Sequence, residues 1–332
     1  MLERAYWKDE TLNSLIPILL FGDLYYKGDI GTRYESFEDE SKWDLNGKFE
    51  VKKEMDSSVM ALALKGVYAE EDENRRTLDL NEAYYGHFFD FGDLYVGKQI
   101  KFFGNLESGN IVDLYNTKDL LFSPFEKEEK IGSIGANLIY FLEEGKIELL
   151  YKIREEERKL FDKDSFYNTF GGLDYDEKIE DNKDSFFALY SSTYELEAFM
   201  GDYTFFVNHG ADNHRGYYFD GKNMREKIYE ANRAGLFANA VYGDTIFKIE
   251  ELYTDNEEDS IGNYNHLGVG IEHTFYGIRD KEDLRIFAEY FRLDFEEDLE
   301  GSDIGEIFDD DVFVGAKLDF NNPENSTLQV GV

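Results

Sequence analysis

Apolar and polar residues alternate with a period of two along much of the chain. The segments 146–154, 185–200 and 312–320 show this pattern over long stretches. In the first of them, the apolar positions are Ile147, Leu149, Tyr151 and Ile153, with Leu150 as an exception. Because successive side chains of a strand point to opposite faces of a sheet, such alternation indicates half-buried β-strands. The sequence therefore predicts an all-β fold.

The connections between the predicted strands alternate between short and long. Short ones rich in Gly, Asp or Asn, such as 143–145, 200–202 and 243–244, are typical of hairpin turns. The long, charged ones are 103–130, 157–184, 210–232, 255–263 and 296–311. A membrane barrel has tight turns at one end and long loops at the other. We expect an antiparallel up-and-down transmembrane β-barrel of about 16 strands, rising to about 18 in a complete chain.

The candidate strands start near Ile30 and run about 9 to 14 residues, which matches tilted strands that cross a membrane. No segment rich in Pro, Gly or Ser divides the chain, so we expect one barrel domain. Residues 1–29 are predicted to form an N-terminal segment in the periplasm or inside the barrel, and residues 30–332 to form the barrel.

A soluble protein remains an alternative to the membrane barrel. A soluble acidic β-protein would bury its apolar face in a core, whereas a membrane barrel turns that face to lipid and its polar face to a wet lumen. Strand length and the alternation of loops favour the barrel. The 29 Phe and 24 Tyr residues fit aromatic girdles at the lipid–water boundaries, and they would also suit core packing.

Composition excludes several classes of protein. The 72 acidic and 35 basic residues give a net charge of -37, which disfavours nucleic-acid binding because that affinity comes mainly from Lys and Arg. Cysteine is absent, so disulfides and thiolate metal sites are excluded. The longest uncharged run, 11–22, is too short for a membrane-spanning helix, which needs about 20 apolar residues. No signal peptide is visible, so the chain is either cytoplasmic or a mature or trimmed form.

A local motif and three late segments carry a family resemblance. The segment 94–99, Leu-Tyr-Val-Gly-Lys-Gln, is followed by Phe103 and Gly104. It resembles the strand-end pattern Gly-Arg-Gln followed by Trp-Gly of porin-like outer-membrane β-barrels of Gram-negative bacteria, in particular alginate-export-like and related uncharacterised large barrels. The segments 268–275, 288–290 and 311–318 resemble successive late strands of these proteins. The likeness covers roughly residues 80–332.

The resemblance implies a bacterial outer-membrane location and a set of partners. These are membrane lipid, lipopolysaccharide, the barrel-assembly machinery and small solutes, without nucleic acid. Such barrels usually end on an aromatic residue, and because 328–332 lacks one, we expect the last strand or strands to be missing. We expect a weakly cation-selective channel for passive diffusion of small polar or ionic solutes. The alternatives are a non-conducting structural or adhesin barrel and a soluble acidic β-rich binding protein.

Because side chains alternate between the two faces of a strand, charged residues of both signs are predicted to face the lumen. There they would act on ionic solutes. These residues are Lys146, Glu148, Lys152, Arg154, Glu195, Glu197, Lys248, Glu250, Glu272, Arg285, Glu289, Lys317 and Asp319. The connection 103–130 is a candidate constriction loop, since in porins a long loop often folds into the lumen; an exposed surface loop is the alternative. Its charged residues include Asp113, Lys118, Asp119, Glu126 and Lys127.

Catalytic and cofactor motifs are not evident. The sequence lacks H-E-x-x-H, G-x-S-x-G and phosphate-binding glycine loops, so we expect no enzyme, no catalytic residue and no cofactor. His209 and His214 lie in a glycine-containing segment that we expect to be a loop without a defined face, so no metal site is predicted there. The acidic segments 255–259 and 294–311 could hold Ca²⁺ or Mg²⁺ loosely, and a solvated face is the alternative.

Overall fold

The computed structural model describes most of the chain as β-strands. The described residues are 24–37, 40–70, 72–122, 129–165, 167–168, 170–176, 178–179, 182–212, 215–257, 262–296, 310–322 and 326–332. The strands of a large sheet are β1 (Leu24–Phe37), β2 (Glu40–Met55), β3 (Ser58–Ala69), β4 (Arg76–Phe89), β5 (Gly92–Gln99), β6 (Ser133–Phe141), β7 (Lys146–Lys152), β9 (Ser185–Leu196), β10 (Phe199–Ala211), β13 (Glu230–Tyr242), β14 (Thr245–Asn256), β15 (Tyr264–Arg279), β16 (Glu282–Phe295), β17 (Asp311–Asp319) and β18 (Thr327–Gly331). A small sheet holds β8 (Tyr175–Asp176), β11 (Gly216–Phe219) and β12 (Met224–Lys227), and a short 3-10 helix spans Glu73–Arg75.

The large sheet is an up-and-down meander. Its 15 strands lie in chain order, and each pairs antiparallel with its neighbours. The predicted all-β antiparallel fold is thus confirmed, with a strand number close to the expected one. The first strand of the described residues starts at Leu24, upstream of the start expected near Ile30, and residues 1–23 of the predicted N-terminal segment lie outside the described residues. Among the described residues, no helix has the length and apolar character that a membrane-spanning helix requires.

The long connections lie at one end of the large sheet, which we call the loop end, and the tight turns at the other, the turn end. Antiparallel pairing of consecutive strands places the connections after β5, β7, β10, β14 and β16 together. Two of them also touch, because the Met224 backbone N–H donates to the Asp174 carbonyl oxygen over 2.8 Å and Arg225 pairs with Asp176 at 3.0 Å. The predicted separation of long loops from tight turns is therefore correct for the described strands.

One face of the sheet, the outer face, carries the predicted apolar positions. Phe186, Ile147, Leu196 and Val314 are exposed there, and Leu149, Tyr190 and Leu318 are half-buried on the same face. Further exposed apolar side chains of this face are Leu45, Met60, Leu62, Val96, Ile134, Tyr151, Phe205, Val207, Phe247, Ile271 and Ile286. Proteins in water rarely expose apolar surface on this scale.

The opposite, inner face packs against the described part of the connection between β5 and β6, residues 100–122 and 129–132, which we call the inner loop. Arg33 of β1 donates to the Phe122 carbonyl oxygen at 3.2 Å, while Leu106 belongs to the same buried cluster as Phe291 of β16. A single loop that contacts one face of strands from β1 to β16 requires the sheet to curl around it. The main core of the described residues therefore lies between the inner loop and the sheet.

Candidate functional site

Glu250 of β14 anchors the first part of the inner loop. Its Oε1 accepts hydrogen bonds from the backbone N–H of Asn105 at 2.6 Å and of Leu106 at 3.0 Å, and from the Asn110 amide at 2.9 Å. Its Oε2 accepts from the Ile111 N–H at 2.9 Å. Glu250 is 0% exposed, so these four donors replace the water that a carboxylate otherwise needs.

Glu289 of β16 anchors the adjoining residues in the same way. It accepts from the backbone N–H of Glu107 at 2.5 Å and of Ser108 at 2.8 Å, and from the Ser108 hydroxyl. Lys248 of β14 donates to Glu107 and to Glu272 of β15, each at 2.8 Å. Carboxylates on the sheet thus hold residues 105–111 by their backbone.

An apolar cluster continues this anchorage. From the inner loop it takes Leu106, Ile111, Val112, Leu114 and Tyr115, and from the sheet Leu150, Phe187, Leu189, Phe206, Leu252 and Phe291. The rings of Tyr115 and Phe187 meet edge to face with centroids 5.6 Å apart. Burial raises the pKa of Tyr115 above its usual value, so its hydroxyl stays neutral. One side of the inner loop is therefore dry.

A buried ionic cluster ties the inner loop to the loop end. Glu155, just after β7, pairs with Lys152 at 2.5 Å and with Arg215 at 3.0 Å. It also accepts from the Thr117 hydroxyl of the inner loop at 2.7 Å, and Arg215 pairs with Glu226 at 2.8 Å. Burial opposes the charge of Glu155, but Lys152 and Arg215 outweigh it and hold the pKa of this carboxyl below its usual value.

The other side of the inner loop borders an open space, which we call the side cavity. It has a volume of about 310 Å³ and lies against the inner faces of β2, β3 and β4. Its lining includes three lysines and three glutamates, together with Ala63, Ile100 and Phe102. The charged lining residues are Lys48, Lys65, Lys130, Glu50, Glu82 and Glu129. Charges of both signs thus face a space that the inner loop narrows.

Ion pairs connect the inner loop to the strands beside the side cavity. Lys48 of β2 pairs with Glu129, and Lys65 of β3 pairs with Asp119. Lys130 pairs with Asp113 within the inner loop. On this side the loop is held mainly by charged groups.

The predicted lumen residues fall into three groups. Buried on the inner face are Glu148, Lys152, Glu250, Glu272 and Glu289, and half-buried there are Lys146, Lys248, Arg285, Lys317 and Asp319. Lys152, Glu250 and Glu289 do not face water, because the inner loop or the ionic cluster covers them. The third group is exposed: Arg154 follows β7 and lines a second cavity together with Lys65 and Asp119. Glu197 is a correction, since it lies in the turn between β9 and β10 with φ of 21°. Glu195 lies on β9, exposed at the turn end.

The described part of the predicted constriction loop folds inward, not to the surface. Asp113 and Asp119 make the ion pairs given above, and Lys118 forms an isolated bridge with Lys130. Glu126 and Lys127 lie outside the described residues.

Several inner-face residues escaped the sequence prediction. Lys48 and Glu50 were missed although they alternate with apolar Phe49 and Val51 on β2, so the period-of-two signal was present. Phe187 and Leu189 were overlooked because apolar side chains on the polar face of a strand break the expected pattern. Such exceptions mark where the inner loop packs.

The expectation that His209 lies in a loop without a defined face is wrong. This residue lies within β10 on a defined outer face, because pairing with β13 continues beyond it to Ala211. His214 lies outside the described residues, as do 258–259 and 297–309 of the acidic segments 255–259 and 294–311.

No protein-family profile matches the chain, and no curated protein sequence is significantly similar to it. Solved structures do match over most of its length. A loop-deletion variant of OmpT, an outer membrane protein of Vibrio cholerae, is 11% identical with a TM-score of 0.48, and 93% of each chain is covered. OprB of Pseudomonas putida is 11% identical with a TM-score of 0.42, covering 89% of this chain and 83% of that one. A variant of the Rh. blastica porin is 13% identical with a TM-score of 0.43, and 92% of each chain is covered. The chain is thus similar to outer-membrane proteins, the class that its sequence resembles.

Proposed function

We propose that the protein is an outer-membrane channel through which small polar and ionic solutes diffuse passively. The observation that carries this proposal is the side cavity, where charged groups of both signs line a space between the inner loop and the strands β2–β4. Such a lining interacts with ionic solutes without the tight binding that would stop their passage.

The outer face supports the membrane location. Its apolar side chains, such as Phe205, Val207 and Ile271, are exposed along neighbouring strands. Contact with lipid does not destabilise such an apolar surface, whereas contact with water does. The strands of a membrane barrel alternate apolar residues that face outward with polar residues that face inward.

The charge of the cavity sets the expected selectivity. Its described lining is balanced, with Lys48, Lys65 and Lys130 against Glu50, Glu82 and Glu129. The acidic excess of the whole chain favours cations near the mouth, because net charge raises the local concentration of counter-ions. We expect weak cation selectivity.

The experiment is conductance of the full chain in a planar bilayer, with a pair of tryptophan variants. Ala63→Trp places a bulky ring in the side cavity, whereas Ala238→Trp adds the same ring to the outer face of β13. We expect Ala63→Trp to lower the single-channel conductance and Ala238→Trp to leave it unchanged.

Two results would overturn the proposal. A folded protein that never conducts would favour a structural or adhesin barrel. A conductance that Ala63→Trp leaves unaltered would show that ions pass elsewhere.

A further inference from the structure

A histidine and two glutamates meet on the outer face at the loop end. His209 lies near the end of β10, Glu230 begins β13, and Glu257 directly follows β14. These three strands are adjacent, and the Glu257 backbone N–H donates to the Glu230 carbonyl oxygen over 2.9 Å. The ligand atoms of the three side chains lie within 4.8 Å of one another. The pairing of the strands thus builds the group from residues far apart in the chain.

The hydrogen bonds of His209 aim one ring nitrogen at a carboxylate. Nδ1 lies 3.0 Å from the Asn232 side-chain oxygen, a contact that favours the tautomer with its hydrogen on Nδ1. In the neutral ring Nε2 then has a lone pair, and it lies 3.1 Å from Oε1 of Glu230. Two lone pairs at this distance repel unless a proton or a cation lies between them. A partner that holds Nδ1 is also how proteins orient histidine ligands of metals.

The spacing fits two ligands of one small cation. Zinc binds imidazole nitrogen and carboxylate oxygen at about 2.0–2.2 Å in a tetrahedral arrangement, which puts neighbouring ligand atoms about 3.4 Å apart. The distance from Nε2 to Oε1 is close to that value, and a rotation of the exposed Glu257 side chain would supply a third ligand. Lys183 contacts the other oxygen of Glu230, Oε2, at 3.0 Å, so Oε1 remains available for a metal.

We propose that His209, Glu230 and Glu257 bind a divalent transition-metal ion of the Zn²⁺ class. One imidazole nitrogen with two carboxylate oxygens suits such ions, whereas Ca²⁺ and Mg²⁺ prefer sites made of oxygen atoms alone. The bound ion joins β10, β13 and β14 where the long connections begin. This site is separate from the side cavity and does not depend on conduction.

The test is chemical modification of histidines in the tag-free, folded full chain, mapped by mass spectrometry. Diethyl pyrocarbonate modifies exposed imidazoles, and the His209 side chain is 54% exposed. With free Zn²⁺ at about ten times the Kd, about a tenth of the sites stay empty, so modification of His209 should slow about 10-fold. His273, whose Nδ1 contacts the Thr245 hydroxyl at 2.8 Å near the turn end, serves as the internal reference and should not change.

Matched variants locate the ligands. Glu257→Gln should abolish the protection of His209 by Zn²⁺, and Glu251→Gln, on the outer face of the same strand region, should retain it. Absence of protection in the native chain would show that His209 and Glu230 form an ordinary ion pair, and would overturn the proposal. Equal protection by Mg²⁺ or Ca²⁺ would overturn the assignment to a transition metal.

Discussion

The two sides of the inner loop are held by different interactions. On one side Leu106, Tyr115 and Phe187 are buried together, and Glu250 is surrounded by N–H donors. On the other side, Lys48 and its neighbours border an open cavity. The dry side has no room for a solute. The charged side retains an open cavity, and its charged groups create an electric field there. An asymmetric anchor thus places a loop firmly inside a sheet while leaving a path beside it.

The largest expected effect comes from the dry side. Phe187→Ala should lower the free energy of unfolding by about 3–5 kcal/mol, because it removes a buried ring and leaves a cavity. Phe186→Ala is the matched control, since Phe186 is the adjacent residue on the outer face and is 45% exposed. Denaturant unfolding of both variants in the same lipid measures the difference. Equal losses would mean that the inner loop does not pack on this face.

The carboxylate anchor should give the next effect. Glu250→Gln exchanges one acceptor oxygen for an NH₂ group that faces N–H donors, and a buried unsatisfied donor costs about 1–3 kcal/mol. We expect the segment 105–111 to become sensitive to protease and the channel current to become noisier. Glu50→Gln, on the charged side, should do neither. If both variants resist the protease like the native chain, the anchor role of Glu250 is refuted.

Charge reversals in the side cavity test whether ions pass along the charged side of the inner loop. Glu50→Lys should shift the reversal potential in a salt gradient toward anion selectivity, and Lys48→Glu should shift it toward cations. The two shifts should shrink near 1 M salt, where screening acts within about 3 Å. Unchanged reversal potentials at low salt would remove the cavity from the ion path.

The last prediction, a change in the pH dependence of stability, concerns Glu155. Its pKa is held below the usual value by Lys152 and Arg215 despite burial, so its ionised form stabilises the fold above the usual Glu pKa of about 4.3. That stabilisation is lost as the pH falls through the lowered pKa. Melting temperatures measured from neutral to acid pH should fall less steeply for Glu155→Gln than for the native chain. Parallel curves would contradict this role.

Local patterns predicted much of the fold because strand geometry is local. Ile147 and Tyr151 are outward, and Glu148 and Lys152 are inward, as their alternation indicates. The same rule would have found Lys48 and Glu50. It fails at Glu197, because the period of two cannot show where a strand ends and a turn begins.

The sequence by itself determined that the chain forms antiparallel strands with an apolar outer face and separates long loops from tight turns, since these properties follow from side-chain parity and turn residues. Only the tertiary structure decided what the inner face contacts. Glu250 looks like any polar-face residue in the sequence, yet it binds backbone N–H groups about 140 positions away. Likewise, His209, Glu230 and Glu257 become neighbours only because β10, β13 and β14 pair. Contacts between a loop and a sheet depend on how the sheet curls, and no local period encodes that curvature.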